Sequence, residues 1–274
     1  MAGSIASHLA RRMGRLRRVR PVEIAYQGGA VSFSFDDFPK SALMTGGAIL
    51  EKHGLRGTYY AAVGLAGSTG NVGPIAELAV MREAHQRGHE VACHTYTHLD
   101  CSRAAPPEIL AEICRNSDAV AALTGGSVPG NFAYPFGRYV GTAKRLLAPR
   151  FDSCRGTSDG VNDRRADLAD LRGTRVYAPQ FDESATRRLI DRACKQDGWV
   201  IFYTHDVSDS PSRFGCTPRQ WESVIAYAAE RAAVLPVCDV LARLAAVSGC
   251  RPAEGDRRFC RPGDAFANQL GAAE

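Results

Sequence analysis

Between residues 30 and 247, apolar strand-like runs and helix-like segments alternate about seven times, which is the pattern of a parallel sheet with helical crossovers. The strands are expected near 31–37, 56–63, 89–93, 131–134, 151–154, 174–177, 198–203 and 233–237, with helices near 41–53, 75–87, 106–123, 139–148, 184–195, 217–232 and 238–247. Residues 155–172 read as a polar loop. Gly54 is placed to end the first helix, and Ser184 to cap the one at 184–195. Such a sheet is either doubly wound or closed into a barrel, and no glycine-rich phosphate fingerprint follows the first strand. Polar and ionisable groups recur instead at strand C-termini, at 36–37, 94–98, 135–137 and 205–206. That is the face on which (β/α) barrels assemble their sites, so an α/β barrel is the expected architecture.

The run Val31-Ser32-Phe33-Ser34-Phe35 ends in two adjacent carboxylates, Asp36 and Asp37. Like charges near a buried site repel and lose solvation, which calls for a cation beside them; a solvated turn is the bland alternative. His94 and His98 are four residues apart. On a straight strand that spacing spans about 13 Å, too far for one ion, so the strand is expected to stop near His94 and turn. Two histidines and one aspartate make a three-ligand set with an open position, a catalytic rather than a structural arrangement. The other aspartate is then free to act as a general base on water. His205 follows the apolar strand 198–203 and suits protonation of a leaving amine. Cys93 faces away from its neighbour His94 on a strand and reads as a small buried hydrophobe.

The net charge of +5 belongs to the first twenty residues, which hold six arginines and no acid; the rest of the chain is close to neutral. Ile5, Leu9, Met13, Leu16 and Val19 place one apolar stripe along a basic helix. Such a helix could contact an anionic membrane surface through residues 1–20, or be a basic leader or a helix docked on its own domain. It has no continuous apolar stretch of the secretory type. The expected organisation is an arm (1–22), a barrel (23–247) and an irregular tail (248–274). The nine cysteines form no C-x-x-C pair, which suits free thiols in a reducing compartment. A cytoplasmic protein is expected, peripheral to the inner face of the membrane if the arm binds there, with no nucleic-acid partner.

Four motifs in order carry a resemblance: Ser34-Phe35-Asp36-Asp37, His94-Thr95-Tyr96-Thr97-His98, Phe132-Ala133-Tyr134-Pro135-Phe136-Gly137 and Phe202-Tyr203-Thr204-His205-Asp206. Over residues 28–245 the chain resembles the polysaccharide deacetylase family, the NodB-homology group also called carbohydrate esterase family 4. The resemblance implies a distorted (β/α)7-8 barrel and one divalent metal, most often Zn2+, with Co2+, Ni2+ or Mn2+ as alternatives. It implies hydrolysis of an N-acetyl, less often O-acetyl, group on an amino sugar that is lipid-linked, nucleotide-linked, an oligosaccharide or a glycoside. By motif, Asp36 is the expected base, Asp37, His94 and His98 the metal ligands, His205 the acid and the Phe136 backbone N–H an oxyanion donor. Tyr134, Pro135, Phe136 and Asp206 are candidate substrate contacts, and the loop Val207–Cys216 a candidate cleft wall. The family's third motif often holds an arginine that pairs with the base; Ala133 stands there, and Arg175 is the expected replacement. Asp152 is a candidate remnant of the element that tunes the acid histidine. Hydrolysis of a non-carbohydrate amide or imide, or a non-catalytic carbohydrate-binding barrel, are the competing readings.

Overall fold

Strand β1 (Ala30–Asp36) is buried at every position, as expected of a run inside a parallel sheet that carries no charge before its last residue. It lies in a computed structural model that describes residues 17–248. Seven more strands follow: β2 (Thr58–Ala61), β3 (Glu90–Cys93), β4 (Asn131–Ala133), β5 (Ser153–Arg155), β6 (Thr174–Arg175), β7 (Trp199–Thr204) and β8 (Ala233–Val234). The sheet runs β6-β7-β1-β2-β3-β4-β5, with β8 also on β1, and every pairing in it is parallel. β8 takes the Ala30–Val31 end of one β1 edge, and β2 takes the Ser34–Asp36 end. Leu171 bridges in parallel to Arg155 of β5, three residues before β6 begins, so the two outer strands are drawn together. The result is a distorted (β/α) barrel.

Among the described residues, seven helices longer than a single turn flank it. α1 starts as a π-helix over Ala42–Gly47 and continues as an α-helix over Ala48–Lys52. A Cβ on Gly46 would lie 2.6 Å from the Phe35 ring, so this helix approaches β1 only because glycine is there. α2 is Leu78–Gln86, α3 Pro106–Leu123, α4 Gly141–Leu147, α5 Glu183–Gln196, α6 Pro218–Ala229 and α7 Val237–Ser248. The cap of α5 is Asp182, which accepts from Ala185 N, rather than Ser184.

Side-chain alternation sorts the strands into an apolar outer face and a polar lumen. Val31, Phe33 and Phe35 pack outward, with both phenylalanines against Trp221 of α6 at 5.1 and 5.2 Å. Inside, Glu90 accepts from Thr58 Oγ1 (2.8 Å) and Asn131 Nδ2 (2.6 Å), and Ser153 Oγ donates to Asn131 Oδ1 (2.7 Å). The first N–H groups of α7 close this floor, Val237 N on Thr58 Oγ1 and Cys238 N on Glu90. The buried chain of hydrogen bonds leaves the upper lumen to the residues of the site.

The end of the expected arm is docked. Pro21–Val22 pair with Ala166–Asp167, Arg20 donates to the carbonyls of Ala148 and Phe151, and the buried Lys144 donates to Arg17 O. The amphipathic reading of residues 1–16 and the tail from 249 onward lie outside the described residues. Cys93, Cys101, Cys154, Cys194, Cys216 and Cys238 are free thiols; Cys114 is disulfide-bonded, so the expectation of free thiols throughout fails at that position. Cys93 is a buried thiol packed among apolar neighbours, as read from its strand phase.

Candidate active site

Five non-glycine residues with positive φ gather at strand ends: Asp37 (61°), Phe38 (57°), Thr95 (59°), His98 (60°) and Phe136 (59°). Each costs on the order of 1 kcal/mol, and such strain concentrates where geometry matters more than stability. All five follow β1, β3 or β4, on the loops where the sequence motifs fall.

Asp37 is the meeting point. Its Oδ1 is buried with no hydrogen-bond partner, 3.1 Å from His98 Nε2 and 3.4 Å from His94 Nε2. His94 Nδ1 lies 2.8 Å from the Ala133 carbonyl, which only accepts, so Nδ1 carries the proton and Nε2 presents its lone pair. Lone-pair atoms of Asp37, His94 and His98 therefore converge, all within 4.8 Å of one another. A divalent cation fits this donor set, two imidazoles and one carboxylate. Burial raises the Asp37 carboxyl, but the three surrounding histidines outweigh it and hold the group well below the usual carboxylate range. Burial lowers His98 to about 4, so its ring is neutral and able to ligate near pH 7. The turn bearing His98 is tied to α3, where Glu112 accepts from Tyr96 N (2.9 Å) and Thr97 N (2.7 Å).

Asp36 is next along the chain and points into the lumen, where the buried guanidinium of Arg155 binds its Oδ1. Arg155 lies between the rings of Tyr60 and Tyr203, its Cζ 4.9 and 4.6 Å from their centroids. Burial opposes the guanidinium's charge, and Asp36 beside it more than restores it. The expected partner was Arg175, and the structure corrects this: Arg175 is exposed and sits 3.6 Å from Asp159. Arg155 succeeds because it extends from β5 across the lumen over the small side chains of Ala92 and Ala133. Its signal in the sequence is weak: Arg155 ends a three-residue strand, in inward phase with Ser153, where a loop was expected to begin.

His205 approaches Asp37 from the other side, Nε2 to Oδ2 at 3.8 Å. Its Nδ1 donates to the Phe214 carbonyl at 3.2 Å. Asp152 plays no part here; its N–H bonds Gly130 O at the foot of β4. Phe136 is the exposed aromatic of the site, its ring 4.3 Å from that of His98, and Pro135 is buried beneath it. Tyr134 is not a surface contact: it is in phase with Phe132, buried in the outer core, and donates its hydroxyl to Ala169 O. Asp206 is also corrected, since both its carboxylate oxygens are bound by Ser212 within the 207–216 loop.

Residues 25–149 match the family model described as polysaccharide deacetylase. That segment, a little under half of the chain, is similar to the polysaccharide deacetylase family. The matched segment contains Asp36, Asp37, His94, His98 and Phe136, and ends before Arg155 and His205. A chitin deacetylase from Arthroderma benhamiae is 28% identical over 121 residues, which are 44% of this chain and 31% of that one. The chain thus spans under a third of that relative's length. Among solved structures, the Xyl-CE4 domain of a multidomain xylanase from the hindgut metagenome of Trinervitermes trinervoides aligns with TM-score 0.54 and 17% identity, covering 83% of this chain and 95% of that one. A family 4 acetyl xylan esterase from Clostridium thermocellum, solved with a cobalt ion, aligns with TM-score 0.55 and 19% identity, covering 80% and 92%. These two likenesses show the fold, a distorted (β/α) barrel.

Proposed function

We propose that this chain is a metal-dependent hydrolase that removes the N-acetyl group from an amino sugar. The observation that carries the reading is the convergence on Asp37: two histidines at one oxygen, a third at the other, and an arginine-held carboxylate on the adjacent residue. A divalent ion held by Asp37, His94 and His98, Zn2+ by the character of its donors, would supply Lewis acidity to the acetyl carbonyl and to a water.

The remaining steps belong to side chains of this chain. Arg155 occupies Asp36 Oδ1, which leaves Oδ2 to take the proton of the attacking water. The Phe136 N–H donates to the carbonyl oxygen as it gains charge. His205 acts as the imidazolium, protonated on both ring nitrogens: it gives its Nε2 proton to the departing nitrogen as the C–N bond breaks and is left as the Nδ1–H tautomer, with acetate and a free amine as products. The matched relative's name supports a sugar amide as substrate. Residues 1–20 are proposed to bring a cytoplasmic enzyme to an anionic membrane, supported by Arg11, Arg12, Arg15, Arg17 and Arg18; Arg20 is instead engaged with the barrel.

The test is acetate release from N-acetylated amino sugars, including oligosaccharide, nucleotide-linked and lipid-linked forms, by Zn2+-loaded protein. Release that disappears in Asp36→Asn while metal stays bound is the expected result. No release from any of them overturns the proposal.

A further inference from the structure

We infer that Asp206 and Ser212 are positioning residues for His205, acting through the backbone carbonyl of Phe214; the inference rests on the deacetylase reading above. His205 immediately follows β7, and the loop 207–216 doubles back over it. One oxygen, Phe214 O, accepts from both the backbone N–H and Nδ1 of His205, each at 3.2 Å. A carbonyl only accepts, so it fixes the tautomer with the proton on Nδ1 and turns Nε2 toward Asp37. No carboxylate bonds Nδ1 among the described residues, so this oxygen sets the tautomer, while the rings of Tyr177, Tyr203 and Phe214 flank the imidazole.

The oxygen is itself held. Phe214 N donates to Ser212 Oγ at 3.1 Å. Ser212 donates its N–H to Asp206 Oδ2 at 2.8 Å and its hydroxyl to Oδ1 at 2.5 Å. Gly215 N returns to Ser212 O, and Cys216 N to Asp206 O. Asp206 is 6% exposed, and a Cβ on Gly215 would meet its carboxylate at 2.4 Å, so the turn closes tightly around it. Burying a carboxylate is costly unless its oxygens are satisfied, and both are spent on one serine. What that arrangement delivers is a fixed position for Phe214 O. The chain of contact is Asp206, Ser212, Phe214 carbonyl, His205 Nδ1.

A positioning role differs from general loop stiffening in its dependence on the leaving group. An amine must be protonated to depart, whereas 4-nitrophenolate leaves without an acid. Ser212→Ala is expected to lower kcat on an N-acetylated chitooligosaccharide about tenfold to a hundredfold, with KM little moved. The loss on 4-nitrophenyl acetate is expected to be at least tenfold smaller, and Ser212→Thr to recover the amide activity. In 15N spectra of the wild type, His205 should show a single Nδ1–H tautomer, and Ser212→Ala a mixture. Asp206→Asn serves as an isosteric second variant if Ser212→Ala does not fold. Equal losses on amide and ester, or an unchanged tautomer, overturn the inference. If the wild type releases no acetate from any N-acetyl sugar, the function reading falls, and the tautomer comparison still decides whether Ser212 positions His205.

Discussion

Arg155 binds Asp36 from the strand four places along the sheet, so the ion pair spans the lumen of the barrel. Removing one partner of a buried pair leaves the other charge uncompensated. Arg155→Met is therefore expected to cost about 3–5 kcal/mol in urea unfolding and to abolish acetate release. Arg175→Gln, at an exposed and weakly paired site, should change stability by less than about 0.5 kcal/mol and leave activity intact. In an Arg155→Ala background, Ala133→Arg should restore part of the activity, because position 133 faces the same lumen.

Metal content separates the two aspartates. Purified protein should carry about one divalent ion per chain, lost in His94→Ala and Asp37→Asn and kept in Asp36→Asn, as read by metal analysis. Retention by Asp37→Asn would place the ion elsewhere.

Glu112 touches no candidate ligand, yet it takes two N–H groups of the turn that carries His98. Glu112→Ala should weaken metal binding about 10- to 100-fold, measured by competition with a chelating dye.

The metal-free protein should lose stability as the pH falls from about 6.5 to about 4. Burial holds folded His98 near 4, while the unfolded chain titrates near the ordinary histidine value of about 6.5. In that window the unfolded state binds the extra proton, so stability rises with pH. Asp37, depressed in the fold, adds a further loss as the pH drops below the ordinary carboxylate range. Thermal melts in chelator should show this slope, flattened in His98→Gln. A slope of opposite sign would refute the assignment.

Arg20→Ala should destabilise the barrel by about 1–3 kcal/mol, since the guanidinium donates to the carbonyls at the end of α4 and the turn after it. Differential scanning calorimetry on the full chain checks this.

Much of this was legible in the sequence because it is local. The charge-free run of β1 announces burial, and the ends of β1, β3 and β7 place Asp36, Asp37, His94, His98 and His205 on one face of any parallel barrel. What escaped is long-range or a matter of phase. Arg155 meets Asp36 across 119 residues, from a strand too short to show periodicity. Tyr134 stands beside active-site residues in sequence, but two-residue alternation carries it outward with Phe132. The π-helical start of α1 depends on how closely Gly46 lets the helix approach Phe35, which no helix propensity encodes.

The pairing of β7 along six residues of β1 has a consequence for biosynthesis. A nascent chain emerged to residue 149 already contains Asp37, His94 and His98, but neither Arg155 nor His205. The longest neighbour of β1 also lies fifty residues downstream of that point. The residues that would capture the ion thus leave the ribosome well before His205 and before Arg155, which holds Asp36. Proteolytic loss of the last third of the barrel would leave a fragment with the three candidate ligands and Asp36 but without His205.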